Sequence, residues 1–481
     1  MKESFFIKKI LIILCLLLFV CIGSIHAADD GNSDESIGLS DKITVNSSDK
    51  DFTMVKAFNS KIIASDKVNK SSNVISQDNT KLNSNTKSFS DLAKKIDSAK
   101  DGSVVVLSGK YKYDPEKDKD YTKGIKISKN IKIVGKNKCS IDGGGKVRGL
   151  IIESHCKVTI KKVTFKHLYS RESNGAAIFS YGDSKIIIRD CIFSKNVVYK
   201  ANGGAIASGP NTNLDIHDSK FYHNKALRGS DKSWPNDQKG MGGAIQLNIG
   251  SKLTLYHSSF KHNLAYLSII LVMSNNKDIG TKTSTVHVEK CLFENNSARI
   301  NGVFYLDEYG KGTFLKSTFK KNHSKDKGGT LILDASKYAL VKNCRFVKNS
   351  GEFGGAIDLY KYNKKTSKAS VVGCSFIKNK ADDAGGAIFS DYGKLKIVKS
   401  KFIKNKAGVS GGAVEVRGGK LSLIKTVFKV NRAQCGGALL VKDKKCIHAY
   451  QNKFVKNNAT VNGKNILGIF NHEVSKVKFL H

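Results

Sequence analysis

The sequence predicts an all-β solenoid, a parallel β-helix of about 12–13 rungs entered through a short capping helix. Three observations lead there. The phrase Phe-x-x-Asn recurs at Phe193, Phe221, Phe260, Phe293, Phe319, Phe346, Phe376, Phe402, Phe428 and Phe454, with the final steps all equal to 26 residues. Around it apolar and polar residues alternate, the period-2 signature of strands with one face inward. Helical periodicity is missing from this region, and 43 glycines against 3 prolines suit tight coils. A repeat of 20–50 residues means stacked units, none able to bury a core alone.

Each position of the repeat has a physical reason. Seven and five residues before the Phe stand apolar pairs such as Leu395/Ile397 and Leu421/Leu423, which point inward. Two residues before it sits a small side chain, as at Cys344, Cys374, Ser400 and Thr426, which fills the core. Phe376, Phe402 and Phe428 are expected to stack inside the coil. Asn379, Asn405 and Asn431 are expected to form a ladder at one turn, each amide bonding to the next rung. Gly-Gly marks a second turn, before alternating strands such as Val414–Arg417, where the chain needs positive φ or close backbone approach. Three short strands per unit, in rungs about 4.8 Å apart, give a rod on the order of 60 Å long.

The chain divides into three parts. Residues 1–28 read as a secretory signal peptide, with Lys8 and Lys9, an apolar run from Ile10 to Ile25, and Ala27-Ala28 at its end. The run is short for a spanning helix of roughly 20 residues, so no integral membrane domain is expected after cleavage. Residues 29–87, rich in Ser, Asn, Asp and Lys, read as a flexible stalk. Residues 88–481 hold the cap and the coil. Ser90 or Asp91 is placed to cap a helix whose Leu92 and Ile96 share a face. A solenoid end needs such cover. The expected address is secreted, or cell surface and cell wall.

Charge points to the partner. Lys and Arg number 81 against 41 Asp and Glu, a formal charge of +40. An excess this large fits an anionic surface polymer, an acidic polysaccharide or a cell-wall or host-surface glycan, in preference to nucleic acid. Lys348, Lys378 and Lys404 stand two residues after the repeat Phe, in a column with Lys195, His223, His262, Lys321 and Lys456.

A second set of candidates flanks the glycine-led strand on its outward side. Tyr305, Asp307, Asp334, Tyr360, Phe389 and Arg417 mix aromatics with charge, as sugar binding by ring stacking and hydrogen bonds would need. If the chain were an enzyme, Asp358, Asp391 and Glu415 would be its acids. Asp358 and Glu415 fall two rungs, about 9.6 Å, apart, near the separation of an inverting glycosidase pair. On an open strand face neither is desolvated, so no turnover is expected. Trp234 lies in an insertion, where the step from Phe221 to Phe260 is 39 residues, and long loops on rigid scaffolds carry binding.

Neither metal nor cofactor is expected. His223 and His262 are consecutive in their column, with no third ligand evident. The ten cysteines show no CxxC spacing, so they point to neither zinc nor a disulfide framework. Cys344 and Cys374 occupy adjacent rungs at bonding distance, but in-register parallel neighbours seldom reach the required torsion. Asn46, Asn69 and Asn458 open glycosylation sequons, whereas Asn322 is expected to be shut inside the ladder.

Gly-Gly-Ala-Ile at 203–206, 242–245, 354–357 and 385–388, paired with Phe-x-x-Asn, resembles the repeat of the chlamydial polymorphic outer membrane proteins. It is also similar to the adhesin-like β-helix proteins of methanogenic archaea. The resemblance covers about residues 175–470 and implies surface adhesion on a right-handed, pectate-lyase-like coil. No segment resembling the chlamydial C-terminal β-barrel is recognisable, which favours secretion or a wall-bound state. The reading is an adhesin-like, polymer-binding protein. A polysaccharide lyase or hydrolase acting on an acidic glycan is the second reading, because pectin-degrading enzymes use the same coil. A structural wall or sheath component is the third.

Overall fold

A computed structural model describes residues 86–481 apart from 230–238, 275–282, 308, 335, 363–364, 443–446, 468–473, 476–477 and 481. The signal peptide, nearly all of the stalk and Trp234 therefore lie outside the described residues. The last two stalk positions do not: Thr86–Lys87 is a strand paired in parallel with Lys110 and Tyr111 of Val104–Lys112.

The chain winds as a right-handed parallel β-helix, and one repeat shows how. Lys394–Val398 is a five-residue strand with Leu395 and Ile397 inward. Lys399, at φ 48°, turns the chain onto Lys401–Ile403, which carries Phe402. Lys404, at φ 56°, makes the next corner. Lys406–Ala407 is a short return strand, Gly411-Gly412 the third corner, and Val414–Arg417 the glycine-led strand. Gly418 and Gly419 then lead into Lys420–Ile424 of the next rung.

Equivalent strands pair in parallel along three sheets that run the length of the coil. One register column passes through Tyr111, Ile141, Phe165 and Phe193 to Phe454, giving thirteen turns.

Two ladders fill the inside of each turn. The rings from Phe165 to Phe454 stack with centroids 4.6–5.1 Å apart and planes within 3–10°. The asparagines run from Asn196 to Asn457 with side chains buried. Asn405 shows the bonding: its Nδ2 donates to the Phe376 carbonyl at 3.0 Å and to Asn431 Oδ1 at 3.0 Å. Its Oδ1 accepts from the backbone N–H and Nδ2 of Asn379 at 2.9 and 3.0 Å. Two donors and two acceptor sites are all used, so a buried amide leaves nothing unsatisfied. Asn322 is one of these, 1% exposed.

The second glycine of each pair is there for space. A Cβ on Gly412 would lie 2.1 Å from the carbonyl of Gly437 in the next rung, closer than any side chain tolerates. The first, Gly411 at φ 59°, supplies a left-handed turn.

The capping helix is Phe89–Asp97. Its N-cap is Ser88, two residues before the expected Ser90: Ser88 accepts from the Asp91 N–H while the Asp91 carboxylate accepts from the Ser88 N–H. Ser90 is instead bonded, with the N–H groups of Phe89 and Asp114, to buried Asp118. Burial opposes charge on Asp118, but those hydrogen bonds outweigh it and hold the carboxyl below its ordinary range. Phe89, Leu92, Ala93 and Ile96 close the end of the core.

The seven described cysteines are free thiols. Cys344 and Cys374 are buried in adjacent rungs, and the Cys344 N–H donates to Cys374 Sγ at 3.4 Å.

Candidate functional site

Two surfaces of the coil carry the candidate residues, and the structure treats them oppositely. The first is the corner after the phenylalanine strand. Lys195, His223, His262, Lys321, Lys348, Lys378, Lys404 and Lys456 all lie there, exposed, with φ between 48° and 56°. Asn295 and Val430 complete the column at the same corner. Glycine and asparagine adopt this conformation at least strain, and a lysine there costs about 1 kcal/mol more than glycine. The ladder below overrides that preference, because the buried Asn that follows each corner residue fixes the turn. Side chains one rung apart share the pitch of the rings beneath them, 4.9 Å from Phe346 to Phe376 and 4.6 Å from Phe376 to Phe402. The outcome is a row of cations along one edge. His223 and His262 stack at 5.1 Å with planes 10° apart. Burial, then the charge of His262, Lys195 and Lys225, lowers the basicity of His223. Among the described residues, no three metal-binding side chains converge.

The second surface departs from the expectation of an open face. The register column of the glycine-led strand is as read from the sequence, Tyr305–Ile332–Asp358–Phe389–Glu415–Leu440 in successive rungs. However, Asp358 and Glu415 are 0% exposed and Phe389 is 2% exposed. The cover comes from the segment that leads into the strand. Phe353, on the return strand Ser350–Phe353, packs on Phe389 with centroids 5.0 Å apart. Arg417 lies over both rings, 4.7 Å from Phe389 and 5.7 Å from Phe353. Phe389 is therefore no platform for a sugar ring. The acids do not reach solvent either: Asp358 and Glu415 stand two rungs apart as expected, but neither can touch a glycosidic bond.

The two buried acids differ in how they are held. Glu415 accepts from Arg417 Nε at 2.8 Å and from Ser410 Oγ, with Lys442 Nζ at 3.7 Å. Arg417 also faces Asp383 at 3.9 Å. By contrast, neither oxygen of Asp358 has a hydrogen-bond partner among the described residues. Its Oδ2 would sit 2.1 Å from a Cβ on Gly328, so only glycine leaves room for it there. Burial drives its carboxyl well above the ordinary range. The nearby Tyr360 hydroxyl opposes this without reaching hydrogen-bond geometry, and Asp334 and Asp391 reinforce it. Burial and the Asp358 charge likewise push Tyr360 up. Burial raises Asp334 as well, against a 2.7 Å hydrogen bond donated by the Tyr305 hydroxyl. Asp391, at the end of Ile388–Asp391, and Asp307, just past Phe304–Leu306, are half-buried.

A stability prediction follows from Asp358. An acid whose folded pKa exceeds its unfolded value keeps its proton in the fold at pH values where the unfolded chain has lost it. Stability is then fully present below the unfolded value near 3.9, falls as pH rises above it, and is lost once pH passes the folded value. Asp358→Asn should flatten that fall and raise stability at neutral pH by about 1–3 kcal/mol. Thermal melts from pH 4 to 8 check this. A parent and variant that fall in parallel would contradict it.

The sequence reading missed Ser410, Asp383 and Phe353, which help to hold the second surface shut. Each belongs to a different segment from the side chain it contacts. The only sequence signal was the Gly-Gly pair, which implies that the chain doubles back at this corner.

Residues 148–346 match the family model of the right-handed β-helix region, and residues 373–391 match that of the Chlamydia polymorphic membrane protein repeat. A curated protein of Dictyostelium discoideum, metabotropic glutamate receptor-like protein R, is 27% identical over 221 residues. That alignment covers 42% of this chain and 13% of the other protein, so this chain spans a small part of the relative it matches. Two solved structures align over most of the coil. One is a mannuronic acid-specific polysaccharide family 6 lyase from human gut microbiota, 11% identical, covering 80% of this chain and 90% of that one at a TM-score of 0.31. The other is the alginate lyase AlyF-OU02 in complex with G6, 12% identical, covering 75% and 84% at a TM-score of 0.30. No helix among the described residues is long and apolar enough to cross a membrane.

Proposed function

We propose that this right-handed β-helix, with its polymorphic membrane protein-type repeat, is a secreted or surface-displayed protein that captures an acidic polysaccharide along its lysine edge and does not cleave it. One observation carries the reading: lysines stand exposed, rung after rung, at a backbone conformation that disfavours them. One lysine per rung, as at Lys348, Lys378 and Lys404, over rings stacked 4.6–4.9 Å apart, suits an extended polyanion whose charges repeat at a similar pitch. The polymer would lie along the coil axis, one anionic group per rung. Such contacts are solvated, so each is weak and the sum depends on matched spacing and on salt.

The second reading, a lyase or hydrolase, has less support. General acid–base chemistry needs a carboxyl within hydrogen-bond reach of the substrate. Asp358 and Glu415 are sealed beneath the return segment, and Glu415 is committed to Arg417 and Ser410.

The test is binding of pectate and alginate chains to the mature protein across a salt series. Affinity should fall steeply with salt. Lys348→Gln, Lys378→Gln and Lys404→Gln together should weaken binding by roughly tenfold, about 1.4 kcal/mol, with a shallower salt slope and an unchanged melting temperature. The same affinity and slope in the triple variant would remove the lysine edge from the mechanism.

A further inference from the structure

A cavity of about 400 Å³ opens beside the second turn of the coil. It exists because one corner is longer than its neighbour. Strand Ile131–Asp142 pairs with Lys157–Lys161 up to Val134, then with Thr164–Lys166 from Ser140 onward. Between those two registers it carries residues 135–139, where the next turn carries only 162 and 163. The surplus loops outward, with Asn137 and Lys138 consecutively left-handed at φ 52° and 53°. Lysine is poorly suited to that conformation.

Lys136, Lys138 and Lys162 line the cavity together with Asn137, Thr164 and Asp190, and Cys139 closes its wall. None of the three ammonium groups has a carboxylate within ion-pair distance among the described residues. Three lysines and one carboxylate, Asp190, therefore line one concave space, with none of the lysines ion-paired among the described residues. The Asn137 amide, which already donates to Ser108 Oγ at 3.1 Å, has a second N–H, and Thr164 brings a hydroxyl.

We propose that this cavity binds a tetrahedral oxyanion, a phosphate or sulfate monoester carried on a hydroxylated framework such as a monosaccharide. Ammonium groups are point donors that approach a multi-oxygen anion from several sides, whereas planar carboxylates are better matched by the fork of an arginine. Asp190 sets the orientation. It repels the anionic end and accepts hydrogen bonds from hydroxyls, so the ester faces the lysines and the carrier faces Asp190. The volume lies near the lower end for small-ligand sites and suits one sugar ring better than a polymer. Cys139 adds no reactivity: it is 1% exposed, and burial pushes its thiol up to about 11. This site binds without reacting. It lies at a different corner from the lysine edge and does not depend on the polymer reading.

The test is calorimetric titration at constant ionic strength, using inorganic phosphate, inorganic sulfate, a hexose phosphate and a hexose sulfate. Saturable binding of one equivalent is expected, tighter for an ester than for its inorganic ion, and the preferred ester identifies the anion. Lys138→Gln with Lys162→Gln should weaken binding by roughly tenfold. Asp190→Asn should strengthen binding of the inorganic ion. Lys378→Gln with Lys404→Gln should leave it unchanged. No saturable heat from any of the four ligands, or equal affinity in the Lys138/Lys162 variant, overturns the proposal.

Discussion

Asn405→Ala should lower the stability of the coil by on the order of 3 kcal/mol, while Lys404→Ala, one residue away, should change it little. The alanine strips partners from two neighbouring rungs at once. The Phe376 carbonyl loses its donor, the backbone N–H and Nδ2 of Asn379 lose their acceptor, and Asn431 Oδ1 loses one of its two donors. A buried polar group left unsatisfied costs about 1–3 kcal/mol, and the ladder gives no way to re-pair them locally. Lys404 is exposed and, among the described residues, makes no side-chain bond that its removal would orphan. Alanine at φ 56° is no more strained there than lysine. Denaturant melts of both variants check the contrast, with the change expected in midpoint. Equal melts would mean that the amides do not hold the rungs together.

Glu415→Ala should destabilise by about 2–4 kcal/mol, opposite in sign to Asp358→Asn. Breaking a buried ion pair by removing one partner leaves the other charge uncompensated. Arg417 would keep its cation over Phe389 and Phe353 with only Asp383 nearby. Its guanidinium is partly exposed, so water recovers some of the loss and the figure stays below the upper end for fully buried pairs. Ser410 also loses its acceptor. Glu415→Gln keeps a hydrogen-bond acceptor for Arg417 and should lie between parent and alanine. Chemical denaturation of the three forms at one pH reads the order directly. If Glu415→Ala matched the parent, the carboxylate would be idle in the fold, and a role at the surface would have to be reconsidered.

These two acids also show what a sequence of this kind reveals. Period 26 placed Phe402 over Phe376 and Asn405 over Asn379, because a ladder repeats the same residue at the same position. The register of the glycine-led strand followed from the same repeat, so Asp358, Phe389 and Glu415 were correctly assigned to successive rungs. Their burial was not legible. Alternation tells which residues share a face, but not whether another segment lies on that face. Here Phe353 and Ser410 do so, and they come from the part of the repeat with the least regular spacing. The left-handed corners were hidden for a different reason. Glycine announces positive φ, whereas lysine at Lys348, Lys378 and Lys404 looks like ordinary surface charge. The helix cap was displaced by two residues because Ser88, Ser90 and Asp91 are all competent caps, and long-range Asp118 claims Ser90.

Capture without cleavage is tested most directly by following one polymer in one vessel. Pectate and alginate chains are incubated with the protein at low salt, with and without calcium, and sampled for bound polymer, for new reducing ends and for unsaturated ends. The lysine-edge account predicts polymer retained on the protein at unchanged chain length, and released intact when salt is raised. Appearance of either kind of new end, abolished by Asp358→Asn or Glu415→Gln, would contradict it.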